Sequence, residues 1–98
     1  MRYDFDWDPN KERTNIRAHG MNFRRAASVF RDPRQLSIFD EEHSIDEARW
    51  ITIGIDNSGV VRVVSHTFEE LSIDVYRVRI ISARKAEPYE IEQYQNNL

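Results

Sequence analysis

The sequence has no cysteine, only three glycines and only three prolines among its 98 residues. Without cysteine it forms neither a disulfide framework nor a thiolate metal site, which is compatible with the reducing cytoplasm where we expect it to act. None of the three glycines belongs to a glycine-rich phosphate loop, so chemistry driven by nucleotide hydrolysis is not expected. No apolar run approaches the roughly 18 residues that a membrane helix needs, and we expect no membrane partner.

The chain is acidic overall, but the acid is concentrated in its middle. The formal net charge is −3 at pH 7, made up of +3 for residues 1–35, −7 for residues 36–75 and +1 for residues 76–98. A negative total argues against a simple nucleic-acid binder. The local sign of charge governs a binding surface more than the total does, however, and both ends of the chain are locally basic.

The first 35 residues predict one strand and two helices. Large apolar and acidic residues alternate over YDFDW (3–7), which is typical of a strand with one buried face. A helix follows, with Asp8 as its cap, Pro9 at the first helical position and Gly20 after the last turn. A second helix begins after Asn22. Its apolar stripe comprises Phe23, Ala26, Ala27 and Phe30.

From residue 36 onward the hydrophobic period becomes two, which predicts strands. The predicted strands are LSIF, RWITIGI, VVRVVSHTF and YRVRIISA. DNSG (56–59) predicts a tight hairpin turn, and EELSID (69–74) reads as a plain connection. A last helix begins near Pro88, with Ile91, Tyr94 and Leu98 on one stripe. We therefore expect one α+β domain over residues 1–98, in the order β-α-α-β-β-β-β-α, with an antiparallel sheet and helices on one face.

The inward positions of these elements predict the hydrophobic core. It comprises Phe5, Phe23, Ala27, Phe30, Ile51, Ile53, Val63, Val78 and Ile80. Burial of Ile51 and Ile53 would fix the register of the predicted hairpin, because a slip of one residue would turn both side chains to the opposite face.

The histidines and the acidic segment predict no metal site. His19, His43 and His66 fall in a helix end, a loop and a strand, without the spacing of metal ligands. Residues 40–47 resemble a calcium loop only superficially, because Ile45 stands where such a loop needs glycine. A solvated acidic loop is the favoured interpretation, and we expect neither a metal nor a cofactor.

Basic residues on the last strands predict a surface for phosphate. Alternation places Arg77 and Arg79 on one face of the last strand, and Arg62 and His66 on one face of the strand before it. If the strands pair with these faces together, a cluster forms. It would comprise Arg62, His66, Arg77, Arg79, Arg84 and Lys85. Such groups can cleave RNA through its own 2′-hydroxyl, because arginine binds phosphate oxygens and histidine moves a proton. Solvated strand residues paired with local carboxylates remain the alternative.

The first helix is nearly bare of apolar residues, so the core alone would hold it poorly. It carries Lys11, Arg13 and Arg17. We expect it to form part of a functional face, either for RNA or for a protein partner.

Five segments together resemble the BrnT family of type II toxins. They are YDFDWDPNKERTNIRAHGMNF, AASVFRDP, ARWITIG, VVRVVSHTF and RVRIISARKAEPYEIEQY, which span the chain from about Tyr3 to Tyr94. The resemblance implies a compact RelE-like ribonuclease fold with a curved antiparallel sheet, and translation arrest by RNA cleavage. It also implies neutralisation by a BrnA-type antitoxin with a ribbon-helix-helix part, so that DNA is contacted only through the antitoxin. In this sequence FEELSIDVY is longer than the family's usual turn.

The resemblance and the basic pattern together give a set of site residues, in which Arg77 and Lys11 come from the basic pattern. The catalytic candidates are Arg79, Arg84, His66, Glu90 and Tyr94, and the RNA-binding candidates are Arg62, Arg77, Lys85 and Lys11. His66 or Glu90 would assist deprotonation of a 2′-hydroxyl, while Arg79 and Arg84 would steady the phosphorane. We accordingly interpret the protein as a metal-independent endoribonuclease toxin.

Two further roles and two rival functions stay open at this point. Lys85 would hold the RNA backbone, and Tyr94 would either stack on a base, donate a proton or belong to the core. The rival from another class is an inactive binding module that partners a DNA-binding antitoxin and tunes its repression. The acidic middle of the chain suits that rival, because a basic antitoxin arm would lie well on it. The second rival is a structural domain without activity.

Overall fold

The computed structural model describes residues 1–97, and over them the chain forms three α-helices and six β-strands. The strands are β1 (Arg2–Trp7), β2 (Leu36–Phe39), β3 (Trp50–Ile55), β4 (Val61–His66), β5 (Glu69–Ser72) and β6 (Val75–Lys85). The helices are α1 (Pro9–His19), α2 (Phe23–Ser28) and α3 (Pro88–Gln95), and a 3₁₀ turn (Val29–Arg31) follows α2. The predicted α+β class is confirmed. Leu98, expected on the stripe of α3, lies outside the described residues.

The sheet is mixed rather than antiparallel. Its strand order is β1-β6-β4-β3-β2. The short strand β5 pairs with the first residues of β6, whereas β4 pairs with the later part of that strand. The pairing of β1 with β6 is parallel, whereas the other pairs are antiparallel. A period-two pattern does not encode strand direction, and β1 is joined to β6 through most of the chain instead of through a hairpin. The strand β5 lies in the segment that we expected to be a plain connection.

The ends of the first two helices are as predicted. The Asp8 carboxylate accepts a hydrogen bond from the backbone N–H of Asn10 at 2.8 Å, and Pro9 opens α1. Gly20 follows α1 with φ of +66°, a left-handed conformation that favours glycine. The Asn22 side chain accepts from the Arg25 N–H at 2.8 Å and starts α2.

A side-chain amide attaches the polar helix α1 to the edge of β6. The strand β1 ends at Trp7, opposite Ile80, so the rest of that edge has no strand partner. Asn15 replaces the partner: its amide nitrogen donates to the Ala83 carbonyl at 2.9 Å, and its amide oxygen accepts from the Ala83 N–H at 3.0 Å. Asn15 is the one buried residue of α1. Its hydrogen bonds therefore hold α1 against the sheet, which the few apolar residues of the helix could not do alone.

Helices cover both faces of the sheet, so the expectation that they lie on one face is wrong. One face, which we call the helix face, carries Val64, Val78, Ile80 and Ala83. These residues pack with α2 and the 3₁₀ turn. On the opposite face, Tyr94 of α3 packs against Ile53 and Val63. Because α3 is only eight residues long, it covers one end of that face. We call this face, with Ser65, Arg77, Arg79, Ser82 and Arg84, the open face.

A β-bulge in β6 decides which side chains reach the open face. Ser65 pairs with Ser82, but the next residue of β4, His66, pairs with Ile80, so Ile81 is an extra residue in β6. Strict alternation would have placed Ala83 with the arginines. After the bulge Ala83 lies in the core of the helix face instead, and Arg84 joins the open face.

Most of the predicted core is confirmed. The buried members are Phe23, Phe30, Ile53, Val63, Val78 and Ile80. Ala27 and Ile51 are half-buried, the latter because α3 does not extend over it. Phe5 is 36 % exposed, since β1 is an edge strand. Over residues 1–97 the three helices are each too short or too polar to cross a bilayer.

Candidate functional site

The open face carries three arginines, and each one is paired with a carboxylate. Arg77 lies 3.7 Å from Glu69, and Arg79 donates to Glu47 at 2.5 Å; these side chains are about half exposed. Pairs of this kind contribute only about 0–1 kcal/mol to stability, because water screens them. A phosphate group can therefore take the place of the carboxylate at little cost.

The pair of Arg84 with Glu90 is more ordered. The two terminal nitrogens of Arg84 donate to the two carboxylate oxygens of Glu90, at 2.7 and 3.0 Å. Glu90 also accepts from the backbone N–H of Glu87 at 2.8 Å, so the carboxylate caps α3 as well. These hydrogen bonds, led by that from Arg84, hold the pKa of Glu90 below its usual range, against the effect of burial. With its oxygens occupied, Glu90 is a poor proton acceptor, and its position suits the orientation of Arg84.

A groove of about 250 Å³ lies beside Arg84, and we call it the central groove. Its lining comprises Asp40, His43, Arg49, Ile51, Val63, Ser65, Ile81, Ser82 and Arg84. The sheet supplies the floor, and the loop between β2 and β3 supplies Asp40, His43 and Arg49. A second groove, of about 340 Å³, adjoins Arg77 and Arg79. Cations, hydroxyls and an imidazole thus meet in one concave surface.

Lys11 lies at a third groove, between α1 and β6. This α1 groove has a volume of about 400 Å³ and is lined in part by Lys11, His19 and Ser82. Ser82 and Ile81 line the central groove too, so the two grooves meet at the bulge. Lys85 is exposed at the end of β6, but its partner in the register is Arg62 and it does not line the central groove.

The expected cluster of Arg62 and His66 with Arg77 and Arg79 does not form, because the two pairs lie on opposite faces of the sheet. The Arg62 side chain is 9 % exposed and donates to Asp56 at 2.8 Å. Burial alone would raise the pKa of Asp56, but hydrogen bonds from Ser58 and Arg62 lower it to about 2. Arg62 therefore neutralises a buried carboxylate at the hairpin.

His66 is buried in the core of the helix face, at 2 % exposure. One ring nitrogen bonds the Thr67 carbonyl at 2.8 Å, and the other lies 2.7 Å from the Thr52 hydroxyl. Burial lowers the pKa of His66 to about 4, although the bond to Thr67 opposes the shift. A neutral ring with both nitrogens occupied is suited to a structural role rather than to contact with RNA.

Tyr94 lies on the side of α3 that faces the sheet and is 6 % exposed. Its hydroxyl donates to the Asp32 carboxylate at 2.6 Å. Burial, followed by this hydrogen bond, raises the pKa of Tyr94 to about 12. Of the roles weighed for this residue, the position fits the core, because neither the ring nor the hydroxyl faces a groove.

Sequence reasoning missed the three loop residues of the central groove. We interpreted residues 40–47 as a solvated acidic loop, yet Asp40 and His43 bond each other at 2.8 Å beside Arg84. The available signal was a carboxylate three residues before a histidine, with an arginine at the end of the same loop. In the part of the chain that the structure describes, no three His, Asp or Glu side chains form a group that could hold a metal ion.

Comparison with known proteins adds the following. Residues 7–90 match the model of a family described as the ribonuclease toxin BrnT of type II toxin–antitoxin systems. The chain is similar in structure to the ribonuclease toxin BrnT of Brucella abortus, seen in a 1.1 Å crystal structure. The TM-score is 0.59 at 21 % sequence identity, over 89 % of this chain and 99 % of the Brucella chain, which shows a shared fold. No curated protein sequence matches the chain closely enough to count as a relative.

Proposed function

Because the chain belongs to the BrnT family of ribonuclease toxins of type II toxin–antitoxin systems, we propose that it cleaves RNA on its open face by transesterification, without a metal ion. In this reaction the 2′-hydroxyl of the RNA attacks the adjacent phosphorus, and the bond to the 5′-oxygen breaks. The products are a 2′,3′-cyclic phosphate and a 5′-hydroxyl. The observation that carries the proposal is the placement of Arg77, Arg79 and Arg84 on one uncovered face beside a groove.

Arg84 has the geometry to stabilise the crowded phosphorane. The bonds to Glu90 and to the Lys85 carbonyl use three of its N–H groups, and a guanidinium has five. Two donors remain, and the side chain is 38 % exposed and lines the central groove. Glu90 fixes the guanidinium in advance, and a preorganised cation costs little reorganisation when charge develops on the phosphate.

Arg79 and Arg77 extend the cationic surface along the same face. Their partners Glu47 and Glu69 are exposed, so RNA phosphates exchange with these carboxylates. We propose that Arg79 shares the transition-state charge with Arg84 and that Arg77 holds the RNA backbone. Lys11 reaches the same path through the α1 groove, which meets the central groove at Ser82.

A toxin of this family has an antitoxin partner. We propose a BrnA-like antitoxin whose ribbon-helix-helix part binds DNA, so that the toxin contacts DNA only through it. The support is electrostatic: residues 36–75 carry a net charge of −7, which suits a basic antitoxin segment. RNA engaged in translation is the proposed target, and the proposed place of action is therefore the cytoplasm.

The chemistry is tested by the ends of the cleaved RNA. The purified protein is incubated with a single-stranded RNA of mixed sequence in EDTA and in Mg²⁺, and separately with a translating extract. We expect equal rates in EDTA and Mg²⁺ on the free RNA if ribosomes are not required, and 2′,3′-cyclic phosphate ends in every reaction that cleaves. Products with 5′-phosphate ends, or cleavage of free RNA only with the metal, would contradict the proposal.

The second candidate is the inactive binding module. The observation that favours it is the pairing of Arg77, Arg79 and Arg84 with carboxylates of the same chain, which offsets the positive charge of the open face. It predicts no cleavage of free RNA and none in the extract. It also predicts that the antitoxin binds the operator more tightly in the presence of this chain.

A further inference from the structure

The proposed reaction needs a group that accepts the proton of the 2′-hydroxyl. His66 is buried with both ring nitrogens bonded, and the oxygens of Glu90 are occupied by Arg84 and by the cap of α3. Neither residue has a free acceptor at the groove. The lining of the central groove offers one histidine, His43, in the loop between β2 and β3.

His43 has the orientation of a proton acceptor. Its Nδ1 lies 2.8 Å from a carboxylate oxygen of Asp40. The Asp40 side chain is 12 % exposed and the His43 side chain 60 % exposed, so the acid lies inside and the imidazole faces the groove. A carboxylate acceptor favours the proton on Nδ1, which leaves the lone pair on Nε2, and it stabilises the imidazolium that forms when Nε2 takes a proton.

The loop is built to hold this pair in place. The Asp40 N–H donates to the Arg49 carbonyl at 2.9 Å, which closes the loop at its base. Ser44 crosses it: its hydroxyl donates to the Asp40 carbonyl at 2.5 Å and accepts from the Arg49 N–H at 2.9 Å. These hydrogen bonds tie the two ends of the loop together and fix the backbone of Asp40. Asp40 in turn holds the His43 ring, and we call the two residues the dyad.

Arg49 is the second arginine in the lining of the central groove. Its Nε is buried, and no acceptor among residues 1–97 lies within hydrogen-bonding distance of it. The nearest carboxylate contact of its guanidinium is Glu47, at 3.8 Å. A ligand cannot reach this buried nitrogen, but the Arg49 side chain as a whole is 32 % exposed and lines the central groove. The accessible part of the guanidinium is therefore what a phosphate in the groove would contact.

We propose that His43 is the catalytic general base of the cleavage reaction, that Asp40 positions it, and that Arg49 binds the scissile phosphate opposite Arg84. Nε2 of His43 takes the proton of the 2′-hydroxyl while the 2′-oxygen forms its bond to phosphorus. The P–O5′ bond then breaks, and the 5′-oxygen takes a proton from water. The charged groups that line the groove around His43 are Asp40, Arg49 and Arg84. This inference rests on the proposed transesterification.

The test is the pH dependence of single-turnover cleavage of the mixed-sequence RNA, or of RNA in the extract if ribosomes are required. A general base must be unprotonated to act, so the wild-type rate should rise with pH. His43→Gln should lower the rate about 100-fold or more and remove this rise. Asp40→Asn should lower the rate about 10-fold or more but keep the rise with pH, because the base is still present and has lost only the carboxylate that orients it.

Controls separate chemistry from folding. Glu42→Gln changes an exposed acid of the same loop that does not line the central groove. It should keep the wild-type rate and pH profile. His43→Gly should regain activity with added imidazole, a response that a structural role would not give. If His43→Gln unfolds, the rescue of His43→Gly and the rate of Asp40→Asn decide the question.

The dyad and the transesterification fail in different ways. If the wild type leaves cyclic phosphate ends but His43→Gln keeps its rate and its pH profile, the dyad is wrong and the proposed function stands. If the wild type leaves 5′-phosphate ends or requires a metal, the transesterification itself is wrong, and the dyad falls with it.

Discussion

Each face of the sheet has an arginine paired with a carboxylate, but the two pairs differ in how far the arginine is exposed. Arg62 and Arg84 lie on adjacent strands, and both bind a carboxylate at 2.7–2.8 Å. The Arg62 side chain is 9 % exposed and its partner Asp56 is fully buried, whereas Arg84 is 38 % exposed at the rim of a groove. Residue type and partner are alike in the two pairs. The difference lies in what covers the guanidinium, and this decides whether it is available to a ligand.

The histidines repeat the contrast. His66 is enclosed on the helix face with both ring nitrogens bonded, and burial keeps it neutral. His43 bonds through one nitrogen and presents the other to the central groove. The buried His66 therefore contributes to stability, whereas we assign the accessible His43 to the reaction.

The largest effects should come from exchanging arginines of the two faces for alanine. Arg62→Ala leaves the buried Asp56 without its cation, so we expect the free energy of unfolding to fall by about 3–5 kcal/mol. Arg84→Ala and Arg79→Ala should each lower the RNA cleavage rate by about two to three powers of ten, or roughly 3–4 kcal/mol in activation free energy. Arg79→Ala should change stability little, because its pair with Glu47 is half exposed. Arg84→Ala should also lower stability, because the Glu90 side chain is only 8 % exposed and loses its cation. Urea titrations and cleavage rates measure the two effects.

The control for this pair of faces is Arg24→Ala, which removes an exposed arginine of α2 on the side away from the open face. It should change neither quantity. An Arg84→Ala variant that cleaves RNA at the wild-type rate would remove Arg84 from the site. An Arg62→Ala variant that keeps its stability but loses activity would show that the helix face takes part in function.

Most of the local structure could be predicted from the sequence, because caps and alternation are local signals. Asp8, Pro9, Gly20 and Asn22 mark helix ends at the positions where the structure has them. The assignment of faces could not be predicted, because a single extra residue at the bulge, Ile81, reverses the alternation after it.

The candidate site was predicted only in part, because strand register and tertiary contacts are not local signals. The three arginines of the open face were among the candidate site residues, and their proposed chemistry came from the basic pattern as well as from the resemblance. The burial of Arg62 and His66 depends on strand register, and their pairing with Asp56 and Thr52 depends on the hairpin and on β3. The loop that holds His43 takes its shape from Ser44 and backbone contacts that no periodicity reveals.

The second effect concerns pH and the helix face. Because the pKa of His66 is lowered from 6.5 to about 4 in the folded protein, the unfolded chain binds a proton first as the pH falls. The contribution of the neutral His66 to stability is complete above pH 6.5 and is lost as the pH falls from 6.5 towards 4. Between pH 7 and pH 5 we expect the free energy of unfolding to fall by about 2 kcal/mol from this residue alone.

The measurement compares urea unfolding of the wild type and of His66→Gln at pH 7 and pH 5. The variant is expected to be less stable at pH 7 but to lose less stability on acidification, by that same difference of about 2 kcal/mol. Equal pH slopes for the two proteins would mean that the imidazole of His66 is not held neutral in the core.

The smallest effect concerns the end of the open face that α3 covers. Tyr94→Phe keeps the ring between Ile53 and Val63 and removes only the hydroxyl that donates to Asp32 at 2.6 Å. Asp32 still accepts from the backbone N–H groups of Ile55 and Arg34, so the loss is one hydrogen bond to a charged group, or about 1.5 kcal/mol of stability. The RNA cleavage rate should stay within about twofold of the wild type, because the hydroxyl lies outside the grooves and a change of this size is far below the loss expected for a transition-state cation.

Tyr89→Phe is the matched control for this variant, since Tyr89 lies on the same helix and is 67 % exposed. It should change neither stability nor rate. A Tyr94→Phe protein that unfolds like the wild type but cleaves RNA tenfold more slowly would give the hydroxyl a part in the chemistry. The covered end of the open face would then belong to the reaction, and the contrast between covered and uncovered side chains would fail at this residue.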